Sequence, residues 1–307
     1  MASITPELRL VRYFIAVAEE LHFGRAAERL HIAQPSLSRA IRDLERILGA
    51  DLFVRTKRSV RLTDAGRTLL GEAPRALAEI ERAFDETRRI GRGEVGELRL
   101  GFLPSATIEL VPALVRASRA AFPGVRLHLR ELLDDPQIEE LREGRLDLGL
   151  LRTARPDGGL TFEPLVRERL SVAVAHDHRL AGRKRVRYAD LRDEPLILWP
   201  RPAAPETFDA VVAACREAGF SARVIQEATS PYTIIGLVAA GVGASVLASS
   251  YRARSGEDVV FIPFTGSETT LHLAWRRDEP SAARDNLIAV ARRVAARLRR
   301  AAPVSRT

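Results

Sequence analysis

Gln34-Pro35-Ser36-Leu37-Ser38-Arg39-Ala40-Ile41-Arg42-Asp43-Leu44-Glu45-Arg46-Ile47-Leu48, residues 34–48, reads as one amphipathic helix stopped by Gly49. At about 100° per residue, Leu37, Ile41, Leu44 and Leu48 fall in one narrow sector. Pro35, Arg39, Arg42 and Arg46 fall nearly opposite, with Ser36 and Ser38 on the flanks. The inner face is aliphatic and the outer face is an arginine stripe. An α-helix fits the major groove of DNA, and arginine offers guanine a bidentate pair. Short hydroxyl and amide side chains at the helix start reach base edges. The same stripe also suits a solvated basic face on a small helical bundle, so the flanking sequence has to decide.

Upstream, Thr5-Pro6-Glu7 has the composition of a helix start, with Thr as N-cap and Pro at the first helical position. Leu10, Phe14, Val17 and Leu21 follow at helical spacing. A short second helix fits Arg25–Leu30, and His31-Ile32-Ala33 makes a tight connection to the third. Two short helices joined by a three-residue turn match the helix-turn-helix plan. Downstream, Leu52–Thr63 alternates weakly and carries Arg55, Lys57, Arg58 and Arg61 with no acid. That pattern predicts a β-hairpin wing able to contact phosphate or the minor groove. Together these features favour DNA binding over a bland bundle.

The pattern Phe23-x-x-Ala26-Ala27-x-x-Leu30-x-Ile32-x-Gln34-Pro35-Ser36-Leu37-Ser38-x-x-Ile41-x-x-Leu44-Glu45-x-x-Leu48-Gly49-x-x-Leu52-Phe53-x-Arg55 resembles the winged helix-turn-helix of LysR-type transcriptional regulators. Leu62-Thr63-Asp64-Ala65-Gly66 continues the match, and chain length and domain order fit too. The resemblance implies an α/β protein with an N-terminal winged helix-turn-helix (1–63), a linker and dimerisation helix (64–92) and a two-lobed effector-binding domain (93–307) of periplasmic-binding-protein type. Lobe I would take about 94–166 and 267–300, and lobe II about 167–266. Gln34, Pro35, Ser36, Ser38, Arg39 and Arg42 would face bases or nearby backbone, with Lys57 and Arg58 at the wing. Ala33 departs from the pattern, since a Ser N-cap is common there.

Thr63 can cap a helix running to about Ile90, in which Leu70, Ala73, Leu77, Ile80, Phe84 and Thr87 repeat like a coiled-coil seam. That seam suits a second copy of the chain, and packing on the chain's own domains is the other reading. Pro74 predicts a kink, and Gly91, Gly93 and Gly96 a flexible join. A two-fold dimer would set two recognition helices about one DNA turn apart on a near-palindromic site. The family also implies a homotetramer of such dimers.

From Glu97 onward strands and helices alternate. Strands at Leu98–Phe102, Val125–Leu129 and Leu146–Leu151, with helices between, predict a parallel α/β sheet. A second run follows through Leu170–Ala175, Leu196–Trp199, Val224–Gln226 and Ala244–Leu247, then late strands Val259–Ile262 and Leu271–Trp275. Two lobes joined by two crossings, near Pro164–Arg169 and Phe264–Ser267, fit a hinge-closing binding module. Ligands in open α/β sheets sit off the carboxyl ends of strands. That rule selects Ser105, Asp134, Pro205, Glu206 and Thr229 with their neighbours, and Arg152 and Arg167 as anchors for a carboxylate. Leu196-x-x-Trp199-Pro200 and Gly236–Gly243 are similar to the aromatic-catabolism subgroup, which implies an aromatic carboxylate or ring-cleavage diacid as effector. Glu206, where that subgroup has a neutral polar residue, would then need Arg167 as its partner, and Leu133 stands where a hydroxyl is usual.

The 307 residues carry a net charge of +8, and only Lys57 and Lys184 are lysines. The first 92 residues hold 17 basic against 13 acidic side chains, and residues 292–307 hold six arginines and no acid. One cysteine, Cys215, excludes an internal disulfide and a multi-cysteine zinc site, and reads as a small buried hydrophobe. The six histidines show no metal spacing, no P-loop or nucleophile elbow occurs, and no cofactor is implied. No apolar window is long enough for a membrane span, and a cytoplasmic setting is expected. The rival reading is a solute-binding or enzymatic α/β protein with an unrelated helical appendage.

Overall fold

Leu10, Phe14 and Val17 bury one face of α1 (Leu8–Glu20). Against it pack α2 (Phe23–Arg29) and α3 (Gln34–Leu48), which bury Ala26, Ala27, Leu37, Ile41 and Leu44 in one core. The computed structural model describes residues 6–56, 59–155 and 158–301. Helix α1 starts later than Thr5-Pro6-Glu7 implies: Glu7 is its N-cap, so Pro6 precedes the helix, and Thr5 lies outside the described residues. Leu21 and Leu48, expected on the inner faces, are exposed, because each lies at a helix end where the core no longer reaches. Helix α2 begins two residues earlier than expected because His22 caps it, Nδ1 accepting from Arg25 N at 3.2 Å.

The wing is a short antiparallel pair, β1 (Phe53–Arg55) and β2 (Val60–Leu62). Thr63 donates to Asp51 O at 2.7 Å and accepts from Gly66 N at 3.0 Å, so it ties the wing to the start of α4 (Asp64–Gly91). Gly66 is required there: a Cβ would come within 2.2 Å of Leu52 O. Helix α4 continues through Pro74.

Two units emerge, residues 1–88 and 89–307. In the second, β3 (Val95–Phe102) lies parallel between β4 (Gly124–Glu131) and β5 (Leu148–Leu151). The linking helices are α5 (Leu110–Ala121) and α6 (Asp134–Arg142). The first parallel run is therefore as expected. Its core, around Leu100, Leu114, Leu148 and Leu150, is closed by Leu287 and Ala291 of α9 (Ala282–Ala301).

The crossings between the lobes lie within two long strands, β6 (Leu160–Ala175) and β10 (Val259–Arg276), paired antiparallel through both lobes. Register shifts between Pro263 and Glu268, where lobe II pairing (Val259–Pro263 with Ser171–Ala175) gives way to lobe I pairing. Leu170–Ala175 is thus the far half of β6 and runs antiparallel to β9 (Ser245–Ala248). The sheet order is β4-β3-β5-β10-β6-β9. Beside it, β7 (Pro195–Leu198) and β8 (Arg223–Glu227) are parallel, with α7 (Pro205–Glu217) between them and α8 (Pro231–Ala239) after β8. A parallel bridge joins Leu196 to Ala244.

The glycine join after α4 is a fixed turn. Gly93 has φ +67°, a Cβ there would meet Ala282 C at 2.4 Å, and Asn286 Nδ2 donates to Arg92 O at 2.9 Å. No helix among the described residues is long and apolar enough to cross a membrane.

Candidate nucleic-acid interface and ligand cleft

On α3 the buried Leu37, Ile41 and Leu44 fix which face is free. Gln34, Pro35, Ser36, Arg39 and Arg42 are exposed and Ser38 is half-buried. Ala33, the N-cap, makes no side-chain bond; Pro35 carries no N–H, and Ser36 N donates to Ala33 O at 3.0 Å. The cationic groups differ in their freedom. Arg46 is within 3.4 Å of Asp43, whereas neither Arg39 nor Arg42 has a carboxylate within ion-pair distance among the described residues. Arg42 Nε donates to Ser38 O at 3.3 Å.

Glu45, its side chain 10% exposed, anchors the wing to this helix. Its Oε1 accepts from Leu52 N at 3.0 Å and Phe53 N at 3.2 Å, and its Oε2 from Arg55 at 2.7 Å. Arg55 also lies over the Phe23 ring at 4.8 Å. Arg55 is thus a structural cation, and the basic wing content falls on Arg61 with Lys57 and Arg58, which lie outside the described residues. Arg61 is exposed.

In the second unit a cavity of about 520 Å³ opens between the lobes. Ser105, Asp134, Arg152, Pro205 and Glu206 all line it. Arg152, 18% exposed, donates to Ser105 Oγ (3.0 Å), Glu168 Oε2 (2.7 Å) and Thr269 Oγ1 (3.2 Å). Asp134 accepts from Arg152 N at 3.1 Å and Thr153 N at 2.8 Å, which fastens the start of α6 to the exit of β5. Glu206, in the first turn of α7, accepts from Arg155 Nε at 2.6 Å and from Thr153 Oγ1. Arg155 Nη2 reaches Asp135 at 2.9 Å, so this chain of charges links the two lobes at the cleft. Hydrogen bonding to Glu206 holds the Arg155 guanidinium above its ordinary pKa, in spite of partial desolvation.

Two expected residues do not join the site. Arg167 is exposed on β6 and does not line the cavity. Side chains alternate along a strand, and the inward neighbour is Glu168, behind Arg152. The partner of Glu206 is therefore Arg155. Thr229 is also exposed and off the cavity, because β8 forms a separate pair with β7 at the edge of lobe II. The sequence reading missed Thr153, Arg155 and Tyr251. Thr153 and Arg155 follow the carboxyl end of β5, and Tyr251 that of β9, so the strand-end rule applied to every strand selects them. Tyr251 is buried against Ser105, and burial pushes its phenol well above the ordinary value, so the hydroxyl stays neutral.

Comparison with known proteins places both parts. Residues 8–67 match the bacterial regulatory helix-turn-helix family of the lysR type, and residues 91–296 match the LysR substrate binding domain. The chain is 41% identical over 255 residues to the HTH-type transcriptional regulator AlsR of Bacillus subtilis, covering 83% of this chain and 84% of that protein. It is 37% identical over 277 residues to the HTH-type transcriptional regulator CatR of Pseudomonas putida, covering 90% and 94%. The fold superimposes on full-length CbnR complexed with its target DNA with a TM-score of 0.77 at 29% identity, covering 94% of this chain and 99% of that one. An exposed arginine face on a helix-turn-helix, followed by a two-lobed ligand module and matched along nearly its whole length by regulators rather than enzymes, makes this chain a member of the LysR family of DNA-binding transcription regulators.

Proposed function

We propose that α3 enters the major groove with Gln34, Pro35, Ser36, Ser38, Arg39 and Arg42 toward DNA, and that Lys57 and Arg58 of the wing reach the adjacent backbone or minor groove. The observation that carries this reading is that Arg39 has no ion pair among the described residues and lies beside Arg42, opposite the buried Leu37, Ile41 and Leu44. The interlobe cavity is the effector site, with Ser105, Asp134, Arg152, Pro205 and Glu206 on its wall. Effector binding shifts the lobes toward a closed state, which changes how a homodimer, or a homotetramer of dimers, holds and bends its operator. The protein works in the cytoplasm, where its DNA is. The resemblance of Leu196-x-x-Trp199-Pro200 and Gly236–Gly243 to the aromatic-catabolism subgroup supports an aromatic carboxylate or ring-cleavage diacid as effector.

A gel-shift with the DNA upstream of its own gene tests the DNA assignment. Retention should be sequence-selective and salt-sensitive. Arg39→Ala should cost about 1–3 kcal/mol and relax preference at one position of the site. Unchanged binding would remove α3 from the interface.

A further inference from the structure

Two sets of polar contacts join the lobes at the cleft, and they differ in burial. Beside the strand crossings, Arg152 bonds Glu168 at 2.7 Å and Thr269 at 3.2 Å, and the Arg152 and Glu168 side chains are mostly buried. Further out, the side chains of Asp135, Arg155 and Glu206 are each nearly half exposed, which puts this second set at the cleft rim. Glu206 belongs to lobe II, in the first turn of α7, and Asp135, Thr153 and Arg155 belong to lobe I. Glu206 Oε1 accepts from Arg155 Nε at 2.6 Å, and its Oε2 accepts from Thr153 Oγ1. Asp135 holds the same guanidinium at 2.9 Å from within lobe I, so Arg155 is fixed in place for Glu206 to meet.

The rim contact is made by this chain's own side chains, so it needs no ligand to form. We propose that Glu206 is a latch: by bonding Arg155 and Thr153 it holds the start of α7 against the exit of β5 and shuts the cleft rim before an effector arrives. Effector entry then begins with the release of Glu206. A tie of this kind lowers the population of the open, binding-competent state, and the apparent affinity for any ligand falls by the same fraction. A carboxylate that seeks Arg155 must in addition displace Glu206 from it. One exposed ion pair contributes little, but here the Thr153 hydroxyl and Asp135 extend it into a network. Such a latch biases the rim toward closure and still yields to a ligand. The inference rests on the cleft being the effector site and names the residue that regulates access to it.

The test uses the full-length protein with no added ligand. Trp199 lines the cavity and Trp275 is the other tryptophan of the chain, so Trp275→Phe leaves a single reporter of the cleft. Acrylamide quenching of Trp199 then measures how open the rim is. In that background Glu206→Gln and Arg155→Gln should each raise the quenching constant by about twofold or more, as the open population grows. The double variant should raise it no further, because both substitutions break one contact. Arg201→Gln is the control: it breaks an exposed ion pair with Asp209 that lies wholly within lobe II, and quenching should stay at the unsubstituted level. Quenching unmoved by both rim variants overturns the latch. A rise in only one of them, a further rise in the double variant, or an equal rise in the control also overturns it, since each assigns the effect to something other than the Glu206–Arg155 contact. The measurement contains no effector, so a failed latch leaves the cleft standing as the ligand site.

Discussion

Arg39, Arg46 and Arg55 are all arginines within or beside one short helix, yet they differ in availability. Arg46 leans on Asp43, Arg55 is locked by Glu45 over Phe23, and Arg39 is unpaired among the described residues. Only an unpaired cation can exchange its counterions for phosphate or a base without first losing a protein partner. Cys215 shows the opposite case. It is fully buried in lobe II, and burial pushes its thiol above the ordinary value. A thiol reagent such as Ellman's should therefore leave the native protein unmodified and label Cys215 fully in denaturant. Rapid native labelling would show that this part of lobe II opens. Arg167 marks where sequence reading fails at this scale. A one-residue error in strand parity exchanges an outward arginine for the inward Glu168.

At the scale of elements, the seam on α4 divides. Ala73 and Leu77 are buried within the chain and Leu70 packs on the helix-turn-helix core. Arg12 of α1 bonds Glu81 at 2.7 Å on the same helix. Further along, Phe84 is 52% exposed and Ile90 is exposed too. The reading of packing on the chain's own domains thus applies to the first half of the seam, and the second half is exposed in the chain. In the proposed homodimer the exposed half is the part left for a partner helix. Phe84→Asp should shift the protein from dimer toward monomer in analytical ultracentrifugation, with helicity kept. An unchanged dimer would move the interface elsewhere. The helices were legible because their periodicity is local. The long β6 and β10 were not, since Pro164, Pro263 and polar residues interrupt the alternation at the crossings, and only pairing between distant segments carries the strands through.

At the scale of the whole effector-binding unit, lobes and terminal helix are tied by ion pairs between distant segments. Arg292 of α9 bonds Glu163 of β6 at 2.8 Å and holds that carboxyl below its ordinary value of 4.5, against some desolvation. A depressed carboxyl stabilises the fold fully above its ordinary value, and that contribution is lost as pH falls through the lower folded value. The thermal midpoint of wild type should therefore exceed that of Glu163→Gln near neutral pH, and the difference should vanish in acid. A difference independent of pH would mean that Glu163 acts by packing alone.

Helix α3, the turn before it, the wing and the first parallel run were determined by the sequence itself. Their signals are spacings of 3.6 and 2 residues and short-range turn chemistry, which need no knowledge of distant neighbours. The tertiary structure alone decided which charges are free and which are spent. Arg155 meets Glu206, Arg152 meets Glu168 and Arg292 meets Glu163 only because the two lobes and α9 bring together side chains far apart in the chain. Coulombic and hydrogen-bond terms depend on distance in space, and no periodicity in sequence encodes that distance.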